Sequence, residues 1–363
     1  MTYKVLSCGT PLQGNAEAGK VIVEGKVQLP SINPGETGTA RFELPDSFRK
    51  GDVLELEAFD REGKSICNWT YPIHLAKQYF ERNLAQTTLT PAPQKAEARQ
   101  TSDAIELKSS KVSITFDAAT GMIRHIKSGE TEVPFKDGPV AVGMKMRYEP
   151  SLSYTRHSSD GAIYCAKYKG AADSIVWRLT NEGLLYMDAI LLNRGSGGGG
   201  FDDAFMDAQV FNLGLSFSYP EQNCSGMKWM GRGPYRVWKN RIPGTNYSIW
   251  HKDYNNTITG ESFENLIYPE FKGYFAGVQW MKLKTKNGTI TLQPGTDKEY
   301  VGVYQPRDGR DQLLYTLPET GISMMQVIPA VRNKVNTTDL NGPSAQPVWA
   351  RGSYTGEVTL HFE

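Results

Sequence analysis

The feature that most constrains the fold of this 363-residue chain is a two-residue alternation of apolar and polar side chains in short segments separated by turns. In KVSITF, Val112, Ile114 and Phe116 share one face, DAATG turns the chain, and MIRHIK returns as the partner strand of a hairpin. Residues 358–362 alternate in the same way. Because successive side chains of a strand point to opposite faces, the pattern predicts half-buried β-strands. No long amphipathic helix pattern competes with it, so we predict an all-β fold.

A chain of this length is expected to form two domains, because a single hydrophobic core stops growing at roughly 250–300 residues. Residues 20–75 are interpreted as a small sandwich with strands in KVIVEGKVQLP, TARFELP and DVLELEAFDREGKSI. In the middle segment, Ala40, Phe42 and Leu44 fall on one face. Residues 60–64, DREGK, are predicted to form a hairpin turn.

The predicted domain boundaries follow a change in composition. From residue 76 the chain becomes polar and loses the alternation, and Pro91 and Pro93 stiffen it. We therefore predict an immunoglobulin-like β-sandwich over residues 1–86, a linker over 87–104 and a large antiparallel sandwich over 105–363. Because a strand is predicted almost at the start of the sequence, the first domain is expected to lack its first strand or two.

Charge and composition exclude several classes of partner. The formal net charge is +1 with acidic and basic residues interspersed, so we expect no strong positive potential that would attract nucleic acid or anionic lipid. No segment approaches the ~18 apolar residues of a membrane span. We therefore expect a soluble chain with neither nucleic acid nor membrane as a partner.

Metal and cofactor sites are not expected either. The four cysteines are scattered without ligand spacing, which indicates neither a zinc site nor a disulfide framework. Residues 195–200, GSGGGG, lack the Lys and Ser/Thr of a phosphate-binding loop and are interpreted as a surface loop. Asp202, Asp203 and Asp207 do not match the spacing of a calcium loop.

Residues 227–280, called the aromatic stretch below, hold the densest group of aromatic and basic side chains in the sequence. They hold four of the seven Trp residues, and five Arg or Lys residues lie between positions 228 and 241. Aromatic faces stack on the C–H face of a pyranose, while guanidinium and amide groups bind its hydroxyls. The composition therefore favours a sugar-binding surface, and the alternative is an aromatic core buried between two sheets.

A stand-alone carbohydrate-binding module is one interpretation of this stretch. Its stacking platform would comprise Trp229, Tyr235, Trp238, Trp250 and Tyr268. The side chains that bind hydroxyls or a uronate would be Arg236, Lys239 and Arg241. The competing interpretation is an interface to another domain, since Trp, Tyr and Arg are also enriched at interfaces.

Three motifs resemble the C-terminal region of glycoside hydrolase family 2, the β-galactosidase family. They are VSITFDAATGMIRHIKSGETEV, MKWMGRGPYRVWKNR and YPEFKGYFAGVQWMKLKTKNG, in this order. The resemblance implies that the large domain is the family's last domain, a galactose-mutarotase-like supersandwich, preceded by an immunoglobulin-like domain. It also implies a periplasmic or secreted parent.

The resemblance further implies a catalytic (β/α)8 barrel upstream, bearing two glutamates, and this sequence has none of the βα alternation of such a barrel. The chain alone is therefore expected to be inactive, without catalytic residues of its own. Its expected partners are the barrel of the same polypeptide and a carbohydrate, either a β-galactoside or a plant or host glycan. In this family the last domain lends a loop to the pocket rim, and the nearest aromatic match here is Tyr300 in LQPGTDKEYVGVY.

A mutarotase- or lyase-type enzyme on the same fold is the remaining alternative. Such enzymes pair a histidine acid with a carboxylate base or act near an acidic sugar. His251 lies in the aromatic stretch, and Glu264 and Glu270 are close to it in sequence.

Overall fold

The computed structural model describes residues 1–13, 16–86, 89–90, 92–143, 146–170, 172–193, 209–254, 274–296, 298–304, 321–330, 347–349 and 352–363. Within those residues the strands form five sheets of four, five, nine, two and five strands, and the pairings are antiparallel. The predicted all-β class is confirmed.

The first nine strands are β1 Thr2–Ser7, β2 Lys20–Lys26, β3 Val53–Phe59, β4 Ser65–Pro72, β5 Glu97–Gln100, β6 Ala104–Lys108, β7 Val112–Asp117, β8 Ile123–Ser128 and β9 Thr131–Val133. The next eight are β10 Lys136–Val142, β11 Met146–His157, β12 Gly161–Gly170, β13 Ala172–Thr180, β14 Leu185–Asn193, β15 Gln209–Val210, β16 Leu213–Ser218 and β17 Cys224–Gly233. The last eight are β18 Asn246–Asp253, β19 Tyr274–Ala276, β20 Trp280–Thr285, β21 Gly288–Pro294, β22 Tyr300–Val303, β23 Ile322–Val327, β24 Val348–Trp349 and β25 Gly352–Phe362. Among the described residues there is one α-helix, α1, which spans Ala76–Gln86, and 3-10 turns span Pro11–Gln13, Asp46–Lys50 and Glu221–Asn223.

The N-terminal sheet has the strand order β2-β1-β3-β4. The predicted hairpin turn at DREGK is confirmed, since Asp60 accepts hydrogen bonds from the backbone of Glu62 and Lys64 between β3 and β4. The strand predicted in TARFELP is wrong, because residues 39–45 have no strand. That segment packs by side chains instead, and the Phe42 ring stacks on Tyr3 with centroids 5.6 Å apart.

Two elements lie where the sequence analysis expected only a polar connection. Helix α1 begins at residue 76, and β5 lies inside the predicted linker, paired with β6. The helix buries Ala76, Tyr79, Phe80 and Asn83, and most of its other positions are polar. Only two of these four buried side chains are large and apolar, so the apolar stripe is weak, which explains why the pattern was missed.

The main core lies between the large sheet, ordered β11-β12-β13-β14-β25-β21-β20-β17-β18, and two five-stranded sheets. One of these is the meander β5-β6-β7-β8-β9, whose β7–β8 hairpin confirms the predicted KVSITF–MIRHIK pairing. The other has the order β10-β16-β23-β22-β19. Phe116 of the meander contacts Trp177 of the large sheet, with ring centroids 5.3 Å apart. This packing makes the described residues between 96 and 363 a sandwich around one main core cluster.

A single register row of apolar residues crosses eight strands of the large sheet. Its members, from β18 to β12, are Trp250, Trp229, Met281, Leu292, Leu360, Leu185, Leu179 and Ala162. All of them belong to the core cluster or pack against it. The row thus fixes the register of the sheet, because a shift of one residue would place polar side chains in the core.

The N-terminal sheet packs on the other face of the large sheet. Val53 and Tyr79 join Met230, Ile249 and Trp280 in one buried cluster. The backbone N–H of Tyr247, on edge strand β18, donates to the Thr70 hydroxyl at 2.5 Å. The N-terminal sheet therefore covers part of an edge strand that would otherwise be open to pairing.

We predict that Leu292→Ala lowers the free energy of unfolding by about 2–5 kcal/mol, because it leaves a cavity in the middle of the register row. Leu292 is fully buried on central strand β21. Urea denaturation followed by circular dichroism measures the change. Lys284→Ala, at an exposed position of neighbouring β20, is the control and should stay within about 0.5 kcal/mol of the wild type. Equal losses in both variants would contradict the assigned register.

Candidate functional site

The aromatic stretch folds as β17, a loop over residues 234–245, and β18. The two strands pair directly, with Trp229 opposite Trp250 and Arg232 opposite Tyr247. Val237 exchanges backbone hydrogen bonds with Tyr274, with N···O distances of 2.6 and 2.9 Å. These bonds fix the loop against β19.

Two tryptophans of the predicted platform are interior residues. Trp229 is 1% exposed, and its ring lies edge-on to Phe275 with centroids 4.9 Å apart. Trp238 is 2% exposed and packs edge-on to Tyr274 at 5.8 Å. The expectation that both rings stack on a ligand at an open surface is therefore corrected. The pleat of β17 turns Trp229 toward the main core, and the Val237–Tyr274 bridge draws Trp238 inward.

Arg236 is also interior, although a surface role in binding hydroxyls or a uronate was predicted. Its guanidinium lies 5.2 Å from the Phe275 ring centroid. Burial lowers the pKa of Arg236 to about 10, and the nearby Tyr254, Cys224 and Glu221 act in the opposite direction. The side chain is a buried cation packed on an aromatic face.

The other predicted residues of the loop are more accessible. Tyr235 is 53% exposed, Arg241 is exposed and Lys239 is half-buried. Lys239 donates its backbone N–H to Pro329 at 3.0 Å, and the Arg241 N–H donates to Trp238 at 2.8 Å. The loop therefore holds these side chains on a fixed backbone.

Tyr300 lies beside this loop. It is the first residue of β22, and its half-buried ring packs against the cluster that contains Val237, Trp238 and Tyr274. Burial raises the pKa of Tyr300, and the nearby Arg232 guanidinium lowers it. The rim surface is defined here as Arg232, Tyr235, Lys239, Arg241 and Tyr300.

The remaining predicted residues divide between the edge strand and positions outside the described residues. His251 is exposed on β18, opposite Lys228. Trp250 is half-buried, and its indole N–H donates to the Gly231 carbonyl at 3.1 Å. Tyr268 and Glu270 lie outside the described residues, as does Glu264.

The sequence analysis missed an ionisable group next to the stretch. The Tyr254 hydroxyl donates to the Glu221 carboxylate at 2.9 Å, and the Tyr254 ring lies edge-on to Tyr304 at 5.2 Å. Burial, together with Glu221, raises the pKa of Tyr254. Tyr304 has a φ of 63°, a rare backbone conformation for a bulky residue. Glu221 precedes the aromatic stretch and Tyr254 lies within it, but no spacing rule links them.

Glu299 is a second residue that the sequence did not reveal. Its Oε1 accepts hydrogen bonds from Gln326 Nε2 at 2.8 Å and from the Glu357 N–H at 3.1 Å. Burial raises the pKa of this carboxyl to about 8, and the negative charge of Glu357 adds to the effect. Because Glu299 directly precedes Tyr300, these bonds fix the backbone from which Tyr300 projects.

Within the described residues, no group of three or more His, Cys, Asp and Glu side chains is arranged to hold a metal ion. Among the helices the structure describes, none is long and apolar enough to cross a membrane. No protein-family model matches the chain, and no curated protein matches it.

We predict that Glu299 makes the protein less stable as the pH rises from about 5 to 8. The folded state keeps the Glu299 proton up to about pH 8, whereas the unfolded chain releases it near the ordinary value of 4.5. The free energy of unfolding should therefore fall across this window, on the order of 1–4 kcal/mol, and Glu299→Gln should abolish that fall.

Urea denaturation at pH 5, 6, 7 and 8 measures this effect. Glu130→Gln is the control, since Glu130 is exposed and should leave the wild-type pH dependence intact. Identical pH slopes in Glu299→Gln and the wild type would rule out a proton on Glu299.

Proposed function

We propose that this chain is the non-catalytic C-terminal portion of a β-galactosidase-like glycoside hydrolase of family 2. In the parent enzyme it supports the catalytic barrel and the rim of the sugar pocket. The three sequence motifs support this assignment, and so does an antiparallel sandwich built on a sheet with nine described strands. The same assignment implies a periplasmic or secreted parent.

The observation that carries the supporting role is the burial of the aromatic stretch. A binding module needs several rings exposed side by side, whereas Trp229 and Trp238 are interior here. Arg236 is buried with them. The residues that suggested a binding platform thus build the core beneath the rim surface.

The N-terminal sheet supports the same proposal. On its edge strand β4, Ile66, Trp69 and Tyr71 are exposed, and Leu75 follows them. Exposed large apolar side chains in one region are typical of a protein–protein contact surface. In the proposed parent, another domain covers them.

Carbohydrate contact is assigned to the rim surface. Tyr235 and Tyr300 offer ring faces, while Arg232 and Arg241 offer guanidinium donors for hydroxyl groups. One stacked aromatic ring contributes about 1 kcal/mol beyond the area that it buries. Such a contribution tunes the choice of substrate without performing chemistry.

The second candidate function is a stand-alone carbohydrate-binding module. Its supporting observation is the 53% exposure of Tyr235, which lies on the same fixed loop as the exposed Arg241.

We predict that the purified chain neither converts nor binds neutral sugars. One-dimensional proton NMR with galactose anomers and β-galactosides reports both properties. The supporting role predicts no new anomeric signals and no line broadening, because the pocket is completed only by the barrel.

Broadening that disappears in Tyr235→Ala but persists in Tyr154→Ala would instead establish a binding module on the rim surface. Tyr154 is the control because it is 37% exposed on β11, at the opposite edge of the large sheet. New sugar signals would contradict both candidate functions and would make His251→Ala the next variant.

A further inference from the structure

The outer face of the large sheet carries a second register row, made of polar side chains. From β18 to β25 it comprises His251, Lys228, Lys282, Thr291 and His361, each directly opposite the next. Residues paired in this way have Cβ atoms about 4.5–5.5 Å apart. The polar row is separated from the rim surface by the buried cluster that contains Met230 and Trp280.

Positive charge exceeds negative charge in the polar row. Lys228 and Lys282 face each other directly, and like charges in that position repel. The carboxylate of Glu363 lies 3.3 Å from Lys282 Nζ and 3.4 Å from His361 Nδ1. Lys228 has no ion pair within the part of the chain that the structure describes. Asp253 is the carboxylate on the neighbouring row of β18.

The same row contains a buried hydroxyl whose hydrogen-bonding capacity is unused. Thr291 is 1% exposed, and its Oγ1 has no hydrogen-bond partner among the described residues. His361 Nδ1, on the adjacent strand, faces the Glu363 carboxylate at 3.4 Å and makes no hydrogen bond of normal geometry within the described residues. Buried polar groups are normally paired, so the unused Thr291 hydroxyl beside Lys282 can form a hydrogen bond with a ligand.

The electrostatic environment of His361 reflects the same excess of positive charge. Burial lowers the pKa of His361, and the charges of Lys282 and Lys111 act in the same direction, while Glu363 opposes them. Lys111 is exposed just before β7. Lys282 contacts the Glu363 carboxylate, whereas Lys228 opposite it has no ion pair among the described residues, so an added anion would offset the excess of positive charge.

We propose that the polar row is a binding site for an oxyanion, the sulfate or carboxylate group of a small anion or an acidic sugar. The ammonium groups of Lys228 and Lys282 supply the charge, the Thr291 hydroxyl supplies a directed hydrogen bond, and His361 with its neighbour Glu363 borders the site. Lys228 is half-buried and His251 is exposed, so this end of the row is open to solvent. This site does not depend on the proposed function or on the rim surface.

Isothermal titration calorimetry of the full chain tests the proposal with three probes at constant ionic strength: inorganic sulfate, glucuronate and glucose. Sulfate or glucuronate should bind and glucose should not, since only the first two carry an oxyanion. Lys228→Gln should weaken binding by about tenfold. Thr291→Val should weaken it several-fold and keep the side-chain shape.

Lys284→Gln is the matched control, because Lys284 lies on the same face of β20 one row away and is exposed. It should bind as the wild type does. Lys228→Gln should remain folded by circular dichroism, since it removes a like-charge contact. Tighter binding of sulfate would indicate an inorganic ligand, and tighter binding of glucuronate would indicate an acidic sugar.

An absence of saturable binding would overturn the proposal. Equal weakening in Lys228→Gln and Lys284→Gln would also overturn it. A third contrary outcome is a heat of sulfate binding that appears only at high concentration and equally in all variants, because weak non-specific association then explains it as an adventitious ion only.

Discussion

The structure depends on antiparallel registration across the large sheet, in which each strand places its apolar side chains in line with those of its neighbours. Leu292 on β21 is paired with Met281 on one side and Leu360 on the other, and all three are buried. Because side chains alternate, this register also decides what the outer face carries. Trp229 faces the core, so the adjacent Lys228 faces outward into the polar row.

The same constraint explains why the aromatic stretch is mostly structural. Half of the residues in β17 and β18 must point inward, and the loop between them is bonded to Tyr274 through Val237. Trp238 follows Val237 into the protein, whereas Tyr235 remains outside. The side chains that remain available to bind a ligand are therefore those of the rim surface and the polar row.

The sequence predicted the elements whose period-two pattern is regular, such as the β7–β8 hairpin. It did not predict helix α1, since Tyr79 and Phe80 are the only large apolar side chains among its four buried residues and give little periodicity. The extended but unpaired segment around Phe42 shows that alternation alone does not determine backbone pairing. The sequence did not decide whether Trp229 is buried, because tryptophan is common both in protein cores and on sugar-binding surfaces. The ionisable environment of Glu299 depends on Gln326 and on the backbone at residue 357, contacts between segments distant in sequence.

The central claim is that this all-β chain works as part of a larger hydrolase. The most direct test is to measure the mass of the native polypeptide, which antibodies raised against the chain detect in extracts of the source cells. The immunoprecipitate is then assayed for hydrolysis of a β-galactoside. The account predicts a polypeptide much larger than the 40.4 kDa of this chain, carrying hydrolase activity. A native protein of about this mass without hydrolase activity would contradict it.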